Sequence, residues 1–126
     1  MPYPVASEPS RLRLVVNRIA STDDLERADL ELQGEVDLGT APELDEVLDR
    51  LCDAGYRVVV VDLAGVEFLG CVGLGSLIRI HHRLVYGGRR LVLTRPGPMI
   101  CRMVRLSSMD DVLDLRESMP YRRRIA

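Results

Sequence analysis

The 126-residue chain contains no Trp, no Lys and a single Phe, Phe68. Without Trp and with one Phe it offers little on which unpaired bases could stack. A net charge of −2, from 17 basic and 19 acidic residues, gives no pull toward a phosphate backbone. Direct binding of nucleic acid is therefore not expected, and a protein partner is. Every basic residue is Arg, a bias that fits a GC-rich genome and to which no mechanism attaches. Cysteine is scarce as well: Cys52, Cys71 and Cys101 lack zinc-ligand spacing and cannot all pair, so reduced thiols are the default and no metal is indicated. Long apolar runs are missing, since nothing approaches the roughly 20 residues that cross a bilayer and no apolar segment follows a basic N-terminal region. The expectation is a cytoplasmic protein without membrane insertion.

Catalytic groupings are missing too. His81 and His82 are the only histidines, and as neighbours on a helix they diverge by about 100°, so they cannot converge on one ligand. The glycines read Gly70-x-x-Gly73-x-Gly75, which is not the Gly-x-Gly-x-x-Gly of a dinucleotide site, and no acidic residue follows at the required distance. No nucleophile with a base and an orienting group can be assembled. The chain is therefore expected to be a non-enzyme without a cofactor.

What is present fits one domain, since a chain of this length removes about two-thirds of its unfolded surface on folding. Residues 1–10, with Pro2, Pro4 and Pro9, read as a loose lead-in, residues 11–117 as the domain and residues 118–126 as a solvated basic tail. Residues 11–19 alternate, with Leu12, Leu14 and Val16 on one side, and predict a half-exposed strand. A turn at 21–24 leads to a second strand at 27–36, with Ala28, Leu30, Leu32 and Gly34 on one parity, forming an antiparallel hairpin.

Thr40 is placed as a helix N-cap, with Pro42 in the first turn and Glu43 at the positive helix end. That helix runs to about Asp53 on a face of Leu44, Val47, Leu48 and Leu51, with Cys52 beside it in the core. A second helix carries Leu74, Leu77, Ile78, His81, Leu84 and Val85. Residues 89–94 then form a short strand, 98–109 a third helix packed through Ile100, Met103, Val104 and Leu106, and 112–115 a last strand. Alternating strands and helices imply right-handed crossovers and a mostly parallel sheet.

The segment 58–75, VVVVDLAGVEFLGCVGLG, organises the rest. Val58, Val59, Val60 and Val61 form a run suited to a strand buried on both faces. A short Gly-containing connection is expected after Asp62 and Leu63. Strand, turn and helix start then meet at Cys71, where free N–H groups and the helix dipole favour negative charge.

These residues resemble the STAS domain of bacterial anti-sigma factor antagonists. The resemblance rests on the valine-rich strand, Asp62-Leu63, Val66, Phe68 and the tetrapeptide before Leu74-Gly75, and on Gly34-Glu35-Val36-Asp37-Leu38-Gly39-Thr40-Ala41-Pro42-Glu43-Leu44 upstream, which is similar to the family's Gly-Glu-Leu-Asp loop and the helix it opens. It covers residues 11–117. It implies the STAS fold: an α/β domain with an N-terminal antiparallel hairpin leading into a mostly parallel sheet, with three to four helices. It also implies an anti-anti-sigma factor that binds an anti-sigma factor of histidine-kinase-like fold and so regulates sigma-dependent transcription, as in stress responses.

In that family the first Ser of Asp-Ser-Ser-Gly is phosphorylated by the anti-sigma factor, which breaks the complex. Here the tetrapeptide reads Gly70-Cys71-Val72-Gly73, so Cys71 holds the phospho-acceptor position and the serine switch is expected to be absent. The partner surface implied by the resemblance comprises Glu35, Asp37, Thr40, Gly70, Cys71, Val72, Gly73 and Leu74. Cys71, with Cys101 as its nearest candidate, could supply a redox switch instead. Self-association stays open. The alternative function is that of a STAS accessory subunit of a lipid-transport ATPase complex.

Overall fold

The structure is a computed structural model in which residues 11–19 and 27–117 are described. The lead-in, the turn expected at 21–24 and the basic tail lie outside them. The elements are β1 (Leu12–Ile19), β2 (Arg27–Val36), α1 (Ala41–Asp53), β3 (Val58–Leu69), α2 (Cys71–Tyr86), β4 (Arg90–Thr94), α3 (Pro98–Leu106) and β5 (Asp114–Arg116). The sheet order is β1-β2-β3-β4-β5. β1 and β2 pair antiparallel, with Leu12 opposite Gly34. All later pairs are parallel, because a helix crosses between each strand and the next.

One strand parity and all three helices feed a single core. Ala28, Leu30 and Leu32 of β2, Val59, Val61 and Leu63 of β3, and Leu91 and Leu93 of β4 meet residues of α1, α2 and α3 in it, so the helices cover one face of the sheet. The opposite parity is mixed, with Val60 and Val92 fully buried beside polar residues. Asp29, Asp62 and Thr94 are buried there, with Arg27 at 2.6 Å from Asp29 and Arg95 Nε donating to Asp62 Oδ1 at 3.1 Å. A buried carboxylate needs such a partner, since desolvating it alone would cost several kcal/mol.

The central strand is longer than expected. β3 continues through Asp62, Leu63 and Gly65 to Leu69, with no connecting loop. Pairing with β2 steps from Glu31↔Asp62 to Gln33↔Gly65, and from Gly34↔Val66 to Glu35↔Phe68, so β3 carries an extra residue at two bulges. Gly65 marks a close backbone approach: a Cβ there would lie 3.1 Å from the Leu32 carbonyl oxygen.

Three smaller corrections follow from packing. α2 buries Leu74, Leu77, Ile80 and Leu84, so its apolar stripe turns toward Ile80 and leaves Val85 half exposed. α3 ends at Leu106, which is exposed, while Ile100 and Val104 are buried and Met103 is partly so. Beyond that end, the Met109 N–H donates to the Val104 carbonyl. Arg89 precedes β4 and donates through Nη1 to the Cys52 carbonyl at 2.8 Å, capping the end of α1.

α1 and α2 are also joined by charge. Arg79 reaches Asp45 and Asp49, and Arg83 reaches Asp49 and Asp53. The Arg79 hydrogen bond outweighs partial desolvation and holds the Asp49 carboxyl below its ordinary value. These pairs are solvent-exposed and screened, so they fix helix alignment more than they add stability.

Candidate functional site

The two sequence motifs converge at one end of the sheet because β2 and β3 run parallel and stop together. Val36 is paired with Leu69, and the next residue, Gly70, donates its N–H to the Val36 carbonyl at 2.8 Å. The loop after β2 and the start of α2 are thus tied by main chain. Gly73 completes the junction: a Cβ there would lie 2.5 Å from Leu69 Cδ1 and 2.6 Å from Val36 Cγ1, so only glycine lets the first turn of α2 sit this low on the strand ends.

Asp37 organises the β2–α1 loop. Its Oδ1 accepts the N–H groups of Gly39 at 2.9 Å and Thr40 at 3.1 Å, and its Oδ2 lies 2.6 Å from Arg11 Nη2. The same guanidinium holds Glu35 at 2.9 Å. Partial burial opposes ionisation of Asp37, but the Thr40 N–H and the Arg11 charge prevail and hold its carboxyl below the ordinary 3.8. Arg11 is not a site residue by sequence motif, although just beyond the Leu12↔Gly34 pair of the hairpin the Glu35 N–H donates to the Arg11 carbonyl at 3.0 Å.

The expected site residues divide by depth. Cys71 and Val72 are exposed, and Glu35, Asp37 and Gly70 are half-buried. Thr40, Gly73 and Leu74 are buried and act as scaffold beneath that surface. Thr40 occupies the N-cap position of α1, yet its hydroxyl does not cap the helix. It donates to the Glu35 carbonyl at 2.8 Å and accepts the Asp37 N–H at 2.9 Å, closing the loop on itself.

Cys71 is the first residue of α2, whose start has no side-chain cap and no acid in its first turn. The positive helix end is therefore uncompensated by α2's own side chains. Beside it lies the half-exposed ring of Phe68, 3.4 Å from where a Cβ on Gly70 would stand.

The three cysteines are free thiols. Cys52 is in the core, and Cys101 lies within α3 with its thiol 3.8 Å from the Pro96 carbonyl. His81 and His82 stand edge to face, with ring centroids 5.4 Å apart. Burial, then the neighbouring His82, push the His81 value down. Among the described residues no His, Cys, Asp and Glu side chains group as metal ligands, and no helix is long and apolar enough to cross a membrane.

Asp37 permits a direct test of loop against surface. Asp37→Asn retains an oxygen acceptor for the Gly39 and Thr40 N–H groups but loses the charge facing Arg11, whereas Asp37→Ala loses both. Melting should fall more for Ala than for Asn, and partner affinity should fall roughly tenfold in both if the charge meets the partner. Because the folded value is depressed, the carboxylate's contribution is present above about pH 3.8 and disappears as pH falls through the folded value. Unchanged affinity in the Asn variant would assign Asp37 to the fold alone.

Comparison with known proteins agrees with this architecture. Residues 19–120 match the family model described as STAS domain. The chain is 27% identical over 89 residues to the anti-sigma-B factor antagonist of Staphylococcus aureus, covering 71% of this chain and 82% of that protein. A crystal structure of an anti-sigma factor antagonist from Mycobacterium paratuberculosis superposes with a TM-score of 0.70 at 26% identity, covering 83% of this chain and 88% of the other. The Bacillus cell fate determinant SpoIIAA in its phosphorylated form shares the fold, with a TM-score of 0.62 at 14% identity over 82% of this chain and 93% of that one. With a family match over most of its length and a five-stranded mixed sheet covered by three helices, the chain belongs to the STAS domain family.

Proposed function

We propose that this chain is an anti-sigma factor antagonist. It binds an anti-sigma factor of histidine-kinase-like fold through the Glu35–Asp37 loop and the Cys71 turn, and it is not switched off by serine phosphorylation. The observation that carries this reading is the joining of the two loops by the Gly70 N–H to Val36 carbonyl bond, which presents Cys71 and Val72 beside the Asp37 loop at a helix start without a cap. The names of the relatives support the partner class.

The physical basis of a phosphate switch at such a place is simple. A phosphoryl group brings about −1.5 to −2 charges, which a free helix N-terminus accepts but a close interface cannot desolvate. Cys71 offers a thiol in place of the hydroxyl. Ser76, the nearest hydroxyl in α2, is buried and donates to the Val72 carbonyl at 3.1 Å, which occupies it inside the helix. A partner kinase therefore finds no acceptor at the surface of this turn.

The test is to mix the purified chain with each histidine-kinase-like anti-sigma factor of its own genome, with and without ATP. Binding is read by calorimetry and modification by intact mass. A complex that survives ATP, with the mass of the chain unchanged, is the expected result. Failure to bind any of them overturns the reading, and binding to a transport ATPase instead would favour the accessory-subunit function. A phosphate adduct that dissolves the complex would show that the switch has moved elsewhere.

A further inference from the structure

Past Leu69 the surface continues into a groove of about 250 Å³ between the end of β3 and the start of α3. Val66 and Phe68 form one wall and Met99 and Met103 the other, with Glu67 at the rim. Phe68 is 50% exposed and Met99 80%, and Val72 nearby is 42% exposed. Scattered exposed apolar residues are ordinary, but here Phe68 and Met99 line one concavity. Its volume falls below the roughly 300–1,000 Å³ of small-molecule sites and suits one or two side chains of a protein. Two methionines give adaptable walls.

Charge selects the occupant. α3, PMICRMVRL, carries Arg102 and Arg105 and no acid, and neither arginine has an ion-pair partner among the described residues. A second copy docking here about a twofold axis would bring these arginines toward their own images. A different protein whose acidic residues, beside an apolar anchor, face Arg102 and Arg105 and lie away from Glu67 meets no such repulsion. The groove is also continuous with the Cys71 turn, because the Phe68 ring that walls it lies against Gly70.

We propose that the groove between β3 and α3 takes a large apolar side chain, flanked by acidic residues, from the anti-sigma factor, so that the partner is gripped at α3 as well as at the Cys71 turn. This rests on the antagonist function proposed above. It assigns the two contacts different tasks: the turn can carry a switch, whereas the groove supplies residence time.

The test measures binding of the purified anti-sigma factor to the wild-type chain, Met99→Asp, Leu106→Asp and the pair Arg102→Glu with Arg105→Glu. Met99 and Leu106 are 80% and 77% exposed, so neither change threatens the core, and Leu106 does not line the groove. Met99→Asp should weaken binding at least roughly tenfold, mainly through faster dissociation, and Leu106→Asp should change it little. The double arginine variant should slow association and flatten its salt dependence.

If wild type binds and Met99→Asp binds equally well, the anchor is overturned while the antagonist function stands. Equal losses in Met99→Asp and Leu106→Asp would reduce the effect to general charge and also overturn it. Loss of a self-dimer in Met99→Asp, with partner affinity intact, would assign the groove to a second copy instead. Absence of binding by wild type removes the antagonist function and the anchor together.

Discussion

Gly34→Ala is expected to lower stability by about 2–4 kcal/mol, through backbone strain and steric clash together. Gly34 has φ of +102°, a conformation that an L side chain resists. An added Cβ would also run into the Arg11 carbonyl oxygen, with the carbonyl carbon 3.1 Å away. That oxygen accepts the Glu35 N–H at 3.0 Å, so it cannot withdraw without opening the end of the β1–β2 hairpin. For a domain of this size the loss corresponds to a fall in Tm of roughly 10 °C or more.

Gly55→Ala is the matched control. Gly55 also has positive φ, +88°, but nothing lies within 4 Å of where its Cβ would stand. It should therefore show the strain alone, about 1 kcal/mol. Equal losses in the two variants, measured by urea unfolding with unchanged m-values, would mean that β1 yields and the clash is not felt.

The second large effect concerns the Cys71 turn. Under the proposed function, the paired change Gly70→Asp with Cys71→Ser is expected to give a chain that the anti-sigma factor phosphorylates and then releases. Gly70 has φ of −77° and ψ of 171°, which any residue adopts. A Cβ there meets Phe68 Cε1 and the Val36 carbonyl oxygen at 3.4 Å, close but without severe overlap. Asp would supply α2 with the N-cap side chain it lacks, worth a few tenths of a kcal/mol over Gly. Phosphate incorporation read by intact mass, with affinity for the partner falling at least roughly a hundredfold, is the expected outcome. Cys71→Ser alone should be modified more slowly. If the double variant binds the partner but takes up no phosphate, the two side chains are insufficient and the difference lies elsewhere in the interface.

How legible each part is depends on the range of the interactions that shape it. The hairpin and α1 can be read from local pattern, because Ala28, Leu30 and Leu32, and then Leu44, Leu48 and Leu51, repeat with the periods of a strand and a helix. The start of α2 is legible for the same reason. The second half of β3 is not: Asp62, Ala64 and Gly65 have poor strand propensity, and they extend the strand only because bulges let it follow β2. The face of α2 is misjudged at Val85 because Ile80 and Val85 are equally apolar and only the seating of the helix distinguishes them.

Thr40 shows the same limit at the site. Its place before α1 is as expected, but the Glu35 carbonyl, brought near by the loop, captures the hydroxyl that would have capped the helix. Arg11 joins the loop through strand pairing, which a pass along the chain does not reveal directly.

The hydrogen bond from Gly70 to Val36 has a consequence for how such a turn can change its chemistry. It runs between main-chain atoms, and so does the Leu74 N–H bond back to the Gly70 carbonyl. Neither asks anything of the side chain at position 71, which is exposed. The turn behaves as a socket with a backbone wall: serine, cysteine or another small residue can be fitted without rebuilding the frame. Domains of this architecture can therefore differ in how they are controlled while remaining interchangeable in shape.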